Sequence, residues 1–357
     1  MTLEAYRTWG APAFLIAEAG VNHCGDIDVA LRMVREAAEA RVDAIKFQTY
    51  KADRLATKAS AAYWDRTKES ASSQYELFRR YDGFGVDEYR ALAEACTAAG
   101  IAFLTTPFDV ESVEWLVELV PMFKIASADI TNTVLLHRVA QTGKTMLLST
   151  GAATLEEIAD AVTFVRASGC PEVALLHCTL SYPTKAADAN LGAVAALGRA
   201  FPNEVIGYSD HTVPEDSFDA IEASYALGGR VIEKHFTLDK SLPGNDHYHA
   251  FDSDDFAALR AKLDHVGTLL GSGRIEVLEA EEPARLHARR SLVSRGRITA
   301  GETIDAAMLD VKRPGTGIEP RELTRVLGLR ATTDIPDDTT LQWAMLEGEP
   351  DPDDAAG

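Results

Sequence analysis

With 357 residues, 55 Asp and Glu against 35 Lys and Arg, and a formal net charge of −20, the chain suits one large domain plus a small module. That acidity makes nucleic acid or an anionic membrane surface a poor partner, and no apolar run approaches the length of a membrane span. Its four cysteines, Cys24, Cys96, Cys170 and Cys178, form no CxxC pair and are too sparse for a disulfide framework. With no basic start leading into an apolar N-terminal core either, a reducing cytoplasm is the expected setting.

From residue 14 onward short apolar runs alternate with longer amphipathic stretches. The runs are FLIAEAG (14–20), AIKFQT (44–49), AFLTTP (102–107), MFKIAS (122–127), TMLLST (145–150), VALLHC (173–178), EVIGYSD (204–210) and RVIEKHF (230–236). Between them, DVALRMVREAAEA (28–40), DEYRALAEACTAAG (87–100) and LEEIADAVTFVRASG (155–169) carry apolar residues at helical spacing. Several such segments end in Gly, as helix C-termini do, and DDFAALRAKLDHVGTLL (254–270) follows the eighth run. Eight strand–helix units suggest a (β/α)8 barrel or a doubly wound open sheet. The count of eight, and the lack of a glycine-rich dinucleotide fingerprint after the first run, predict the barrel, over residues 1–270.

One connection, from 51 to 85, is long and contains Tyr63, Trp64 and Tyr75, which predicts a lid over the barrel's C-terminal mouth. Residues 271–288 read as a linker. Short runs, turns and scattered Gly and Pro then predict a small β-rich module over 289–347, and the acidic end at 348–357 predicts disorder.

In such a barrel the chemistry sits where strands pass into βα loops. Those positions are loaded with polar groups: Glu18, Lys46, Thr106, Lys124, Ser127, Ser149, Tyr182, Ser209, His211 and His235. A strand Ser or Thr can equally be a hydrogen-bonded interior group. Lys46 and Lys124 are harder to dismiss, because an unpaired buried ammonium is costly, and they suggest an anion between or near them. Hydroxyls and two lysines together would cradle a phosphate plus a carboxylate. His211 and His235 end successive strands, in GYSDHT and IEKHFT. They could ligate one divalent cation with coordination positions left open, or serve as general bases or supporting groups.

IAEAGVNHCG, IKFQTYKAD, TTPFD, FKIASADITN, LLSTG, LLHCTLSYPT, IGYSDHT and IEKHFT, in that order, resemble the N-acetylneuraminate (sialic acid) synthase family. ARRSLVSRGRITAGETI with VKRPGTGIEP resembles that family's C-terminal antifreeze-like (SAF) domain. The resemblance implies a (β/α)8 TIM barrel plus SAF domain, a domain-swapped homodimer, and a carbon–carbon-bond-forming transferase. Its reaction would condense phosphoenolpyruvate with an N-acylated mannosamine-type or 2,4-diacetamido hexose, using a divalent metal, Mn2+ before Mg2+ or Co2+. It implies that His211 and His235 hold the metal, and that Lys46, Thr106, Lys124, Ser127, Ser149 and Ser209 bind phosphoenolpyruvate. It places Glu18, Tyr182 and Asp246 at the sugar, with Arg313 offered to the sugar's N-acyl group across the dimer. Glu18 is the expected proton-handling group, or else a carboxylate that only orients the sugar.

Leu180 stands where family members often carry a polar residue, and Cys24 where asparagine is common. His247 and His249 read first as incidental imidazoles of a solvated loop, with extra sugar contacts as the alternative. Two other functions compete: a Schiff-base aldolase using Lys46, Lys124 or Lys234, and a non-catalytic carbohydrate-binding protein.

Overall fold

The computed structural model describes residues 2–348 apart from 65, 68, 215–217 and 245, so nearly all of the acidic end lies outside the described residues. The chain divides into two compact units, one ending at Gly273 and the other beginning at Arg274.

The first unit is built on eight parallel strands: β1 (Phe14–Gly20), β2 (Ala44–Thr49), β3 (Ala102–Pro107), β4 (Met122–Ile125), β5 (Thr145–Ser149), β6 (Val173–His177), β7 (Val205–Asp210) and β8 (Val231–His235). They pair in the order β3-β2-β1-β8-β7-β6-β5-β4, and β3 lies beside β4. The sheet therefore curls into the predicted barrel, and no predicted run misses its strand's bounds by more than two residues.

Alternation along each strand sorts the side chains into two sets. The outward set, including Leu15, Ile45, Phe47, Phe123, Leu148 and Ile232, packs against helix residues such as Met33, Leu92, Leu136, Val165 and Leu259. Each such burial contributes about 1.5–3 kcal/mol. The inward set starts apolar, with Phe14, Ile16, Ala44, Leu104, Met122, Leu147 and Val231 filling the lower half of the cylinder. Two residues further along the same faces stand Glu18, Lys46, Thr106, Lys124, Ser149 and Glu233, all buried. The barrel is thus plugged with hydrocarbon below and charged above. On β7, a side chain at Gly207 would lie 2.3 Å from the Val231 carbonyl, so glycine is required for β7 to pass this close to β8.

The helices begin where capping chemistry dictates. Asp26 accepts from the backbone N–H groups of Asp28 and Val29 ahead of Ile27–Glu39, and capping boxes open Leu155–Ala167 and Ser253–Leu270. The long connection after β2 folds into a short helix, Ala52–Leu55, and a second, Gln74–Tyr81, capped by Ser73. Among the described residues no helix is long and apolar enough to cross a membrane.

The second unit includes most of the expected linker, which is not plain coil: Glu282–Ala288 is a helix with a proline in its first turn. Seven residues without an apolar stripe carry too little periodicity to announce it. Ser291–Ser294 pairs antiparallel with Leu309–Lys312, and Arg330–Ala331 with Leu346–Glu347, over a core that includes Leu292, Ile304, Val326 and Leu341.

Candidate active site

A cavity of about 540 Å³ opens at the C-terminal ends of the barrel strands. Eleven predicted residues line it: Glu18, Lys46, Thr106, Lys124, Ser127, Ser149, Tyr182, Ser209, His211, His235 and Asp246. The twelfth, Arg313, belongs to the second unit and is exposed there.

Four buried charges form the floor. Lys46 pairs with Glu18, donates to Thr106 Oγ1 at 3.0 Å, and lies 3.7 Å from Glu233. Lys124 donates to Ser149 Oγ at 2.7 Å and lies 3.6 Å from the same Glu233. Ser209 Oγ donates to Glu233 at 2.8 Å. Both lysines therefore face carboxylates of the chain itself, Glu18 and Glu233. Glu18 was expected at the site; Glu233 was not.

Burial pushes the Glu18 carboxyl up to about 7, opposed by Lys46 and helped by Glu233. Burial alone would raise Glu233 too, but the Lys124 and Lys46 charges hold it below the usual carboxylate range. Burial also lowers the Lys124 ammonium. Beside this floor a side chain at Gly151 would lie 2.8 Å from Cys178 Sγ and 3.1 Å from Ser127 Oγ. Glycine keeps the corner around Ser127 open.

Above the floor two imidazoles face each other, with ring centres 5.6 Å apart. His211 Nδ1 donates to the Thr179 carbonyl at 2.8 Å, a bond that leaves a lone pair on Nε2. His235 Nδ1 is buried without a hydrogen-bond partner and stands 4.0 Å from Asp246 Oδ2. Burial lowers His211 to about 4 and His235 well below its ordinary value, so both rings are neutral at pH 7. Two neutral imidazoles with available lone pairs fit a divalent cation. Among the described residues no group of three or more His, Cys, Asp or Glu is arranged to hold a metal ion.

His247 and His249 are not the solvated imidazoles expected of the loop after β8: they are 3% and 0% exposed. His247 bridges Thr237 Oγ1 at 2.8 Å and Cys24 Sγ at 3.8 Å, and His249 Nε2 lies 3.5 Å from Asp246 Oδ1. Burial would raise the Asp246 carboxyl, yet the surrounding histidines hold it below the usual range. Lys234, one of three lysines considered as a nucleophile, points away from the cavity lining and pairs with Asp210 Oδ2 at 2.8 Å. It cannot reach a substrate there.

The connection after β2 forms one wall. Tyr63 and Trp64 line the cavity with Leu55, Leu77, Phe78 and Tyr81. Tyr75, grouped with them from the sequence, is absent from the lining and donates to Asp53 Oδ1 at 2.8 Å. Leu180 and Cys24, the two departures from the family pattern, both line the cavity.

Residues 33–275 match the NeuB family and residues 289–347 the SAF domain. The chain is 38% identical to the N,N′-diacetyllegionaminic acid synthase of Legionella pneumophila over 94% of each protein. It is 33% identical to the N-acetylneuraminate-9-phosphate synthase of Mus musculus, over 94% of this chain and 93% of that one. The crystal structure of an N-acetylneuraminic acid synthetase from Leptospira borgpetersenii, 35% identical, superposes with a TM-score of 0.68, covering 77% of this chain and 90% of that one.

Proposed function

We propose, from the premise that this chain belongs to the NeuB family and carries a SAF domain, that it condenses phosphoenolpyruvate with the open-chain aldehyde of an N-acylated amino sugar. The products are a nine-carbon 2-keto acid and phosphate. The observation that carries this is the union, in one cavity, of a two-lysine hydroxyl cradle and a neutral imidazole pair.

Lys46 and Lys124 supply positive charge for the carboxylate and phosphate of phosphoenolpyruvate, and the hydroxyls of Thr106, Ser127, Ser149 and Ser209 set its orientation. His211 and His235 would hold a divalent cation, Mn2+ first, whose chemistry there is Lewis-acid polarisation of an aldehyde oxygen. Carbon 3 of the enol phosphate forms the new bond to the aldehyde carbon. Water adds at carbon 2, the C–O bond to phosphate breaks, and the aldehyde oxygen takes up a proton. Glu18 is the group placed to pass protons: its carboxyl titrates near 7 and it is anchored by Gln48 Nε2 at 3.0 Å. Tyr182 and Asp246 face the sugar, and Arg313 reaches the N-acyl group from a second copy of the chain. The reading places the enzyme in the cytoplasm, where phosphoenolpyruvate is available.

Purified protein given Mn2+, phosphoenolpyruvate and N-acylated hexosamines should release phosphate, and chelation by EDTA should stop it. His235→Ala should abolish turnover while keeping the circular dichroism of the wild type. Turnover that survives EDTA but is lost to borohydride plus pyruvate would instead establish a Schiff base on Lys46 or Lys124. No phosphate with any acylated hexosamine would leave a carbohydrate-binding role.

A further inference from the structure

The loop after β8 buries a third imidazole beside the pair. His249 is 0% exposed, and neither its Nδ1 nor its Nε2 has a hydrogen-bond partner. A buried polar group left unsatisfied is costly, and a phenylalanine would fill the same space without that cost. The ring is fixed by its neighbours. It stands edge-on to His235, with centres 4.9 Å apart and planes at 76°, and edge-on to Tyr248 at 5.2 Å. His249 Nε2 is 3.5 Å from Asp246 Oδ1, and the other carboxylate oxygen, Oδ2, is 4.0 Å from His235 Nδ1. One carboxylate thus stands between two buried imidazole nitrogens that both lack a hydrogen bond.

His235 lines the cavity while its Nδ1 is buried, which leaves Nε2 as the nitrogen for a ligand. A neutral imidazole offers the Nε2 lone pair only when Nδ1 carries the proton, and that tautomer is set by the acceptor Nδ1 finds. For His211 the acceptor is the Thr179 carbonyl at 2.8 Å. For His235 the group facing Nδ1 is Asp246, at a separation that has yet to close to a hydrogen bond. Such bonds are often long in ligand-free sites and tighten when the site fills. An aspartate on a loop keeps that position only if something holds its far side. Resting on the reading of His211 and His235 as the cation's ligands, we propose that His249 is a positioning residue. Its Nε2–H anchors Asp246 Oδ1, so that Oδ2 accepts from His235 Nδ1 and the His235 lone pair is presented to the cation. The carboxylate retains further lone pairs for a sugar hydroxyl.

The test uses the full chain with Mn2+ itself as the probe, free Mn2+ being read by electron paramagnetic resonance. His249→Phe keeps a ring and removes the donor. It should bind Mn2+ about tenfold to a hundredfold more weakly than wild type, the range for loss of a supporting contact. His249→Gln, which restores an N–H donor, should recover most of that affinity. A purely structural His249 would lower Tm in both variants and leave Mn2+ affinity unchanged, and that result overturns the inference. A second readout needs no metal. Imidazole nitrogen shifts in nuclear magnetic resonance, with the His235 signals assigned by their loss in His235→Ala, should show the Nδ1–H tautomer in wild type and a shift toward Nε2–H in His249→Phe. An Nε2–H tautomer in wild type, or the same tautomer in both proteins, overturns the inference. Wild type that binds no Mn2+ while His249→Phe still changes the His235 tautomer keeps the anchoring and removes the metal reading.

Discussion

Glu233 is held by three groups at once: Lys124 at 3.6 Å, Lys46 at 3.7 Å and the Ser209 hydroxyl at 2.8 Å. Buried charges persist only when paired, so in the ligand-free protein this carboxylate holds two ammonium groups in place. Glu233→Gln keeps the shape and removes the charge, leaving Glu18 alone against both lysines. The ligand-free variant should lose about 3–5 kcal/mol of stability, the range found when one partner of a buried pair is removed. Phosphoenolpyruvate would supply the missing negative charge, so it should raise the variant's Tm by more than it raises the wild type's. Thermal melts with and without phosphoenolpyruvate decide the matter; equal ligand shifts would mean the lysines do not depend on Glu233. The residue was legible in principle. In RVIEKHF, period-2 alternation puts Glu233 on the face of His235 and Lys234 on the other. Position along the strand singles out Lys234 and His235, whereas only the facing of alternate residues marks Glu233.

The same alternation organises β7 against β8. Ser209 pairs in register with Glu233 on the inner face, and Asp210 with Lys234 on the outer. Asp210 gathers the Tyr208 hydroxyl at 2.9 Å, the Thr212 N–H at 3.0 Å and the Thr212 hydroxyl at 3.0 Å, in addition to Lys234, which also donates to the Thr212 carbonyl. His211 lies between two residues fixed by this network, so its ring is aimed by groups outside the cavity. Lys234→Met should therefore lower Tm and also weaken Mn2+ binding about tenfold, at the low end of what loss of a supporting contact does to metal affinity. Free Mn2+ measured by electron paramagnetic resonance would show it, and unchanged affinity with reduced Tm would confine Lys234 to the fold. At this scale most of the molecule was readable. Parallel strands buried on both faces leave near-continuous apolar runs, and all eight were found at their places. What escaped was short or set by tertiary contact: the helix Glu282–Ala288, the burial of His247 and His249, and the turn of Tyr75 toward Asp53.

At the scale of the whole molecule the question is what completes the cavity. No arginine lines it among the described residues, and its two lysines face carboxylates on the floor. In the proposed reading the N-acyl end of a sugar thus meets no guanidinium among the described lining residues. Arg313 is exposed in the second unit, immediately after the strand Leu309–Lys312, and the family resemblance has it serve a partner's site. A shared site has a signature that no single variant can imitate. Arg313→Ala should raise the KM for sugar far more than that for phosphoenolpyruvate, and His235→Ala should be inactive. Coexpressed, the two variants would form mixed dimers in which the Arg313→Ala barrel meets an intact arginine from its partner. With random pairing half the dimers are mixed and half of their sites intact, so activity at low sugar should return to about a quarter of wild type. An arginine acting on its own chain's barrel predicts no recovery at any mixing ratio, because each mixed dimer would then carry one barrel without its arginine and one without its histidine.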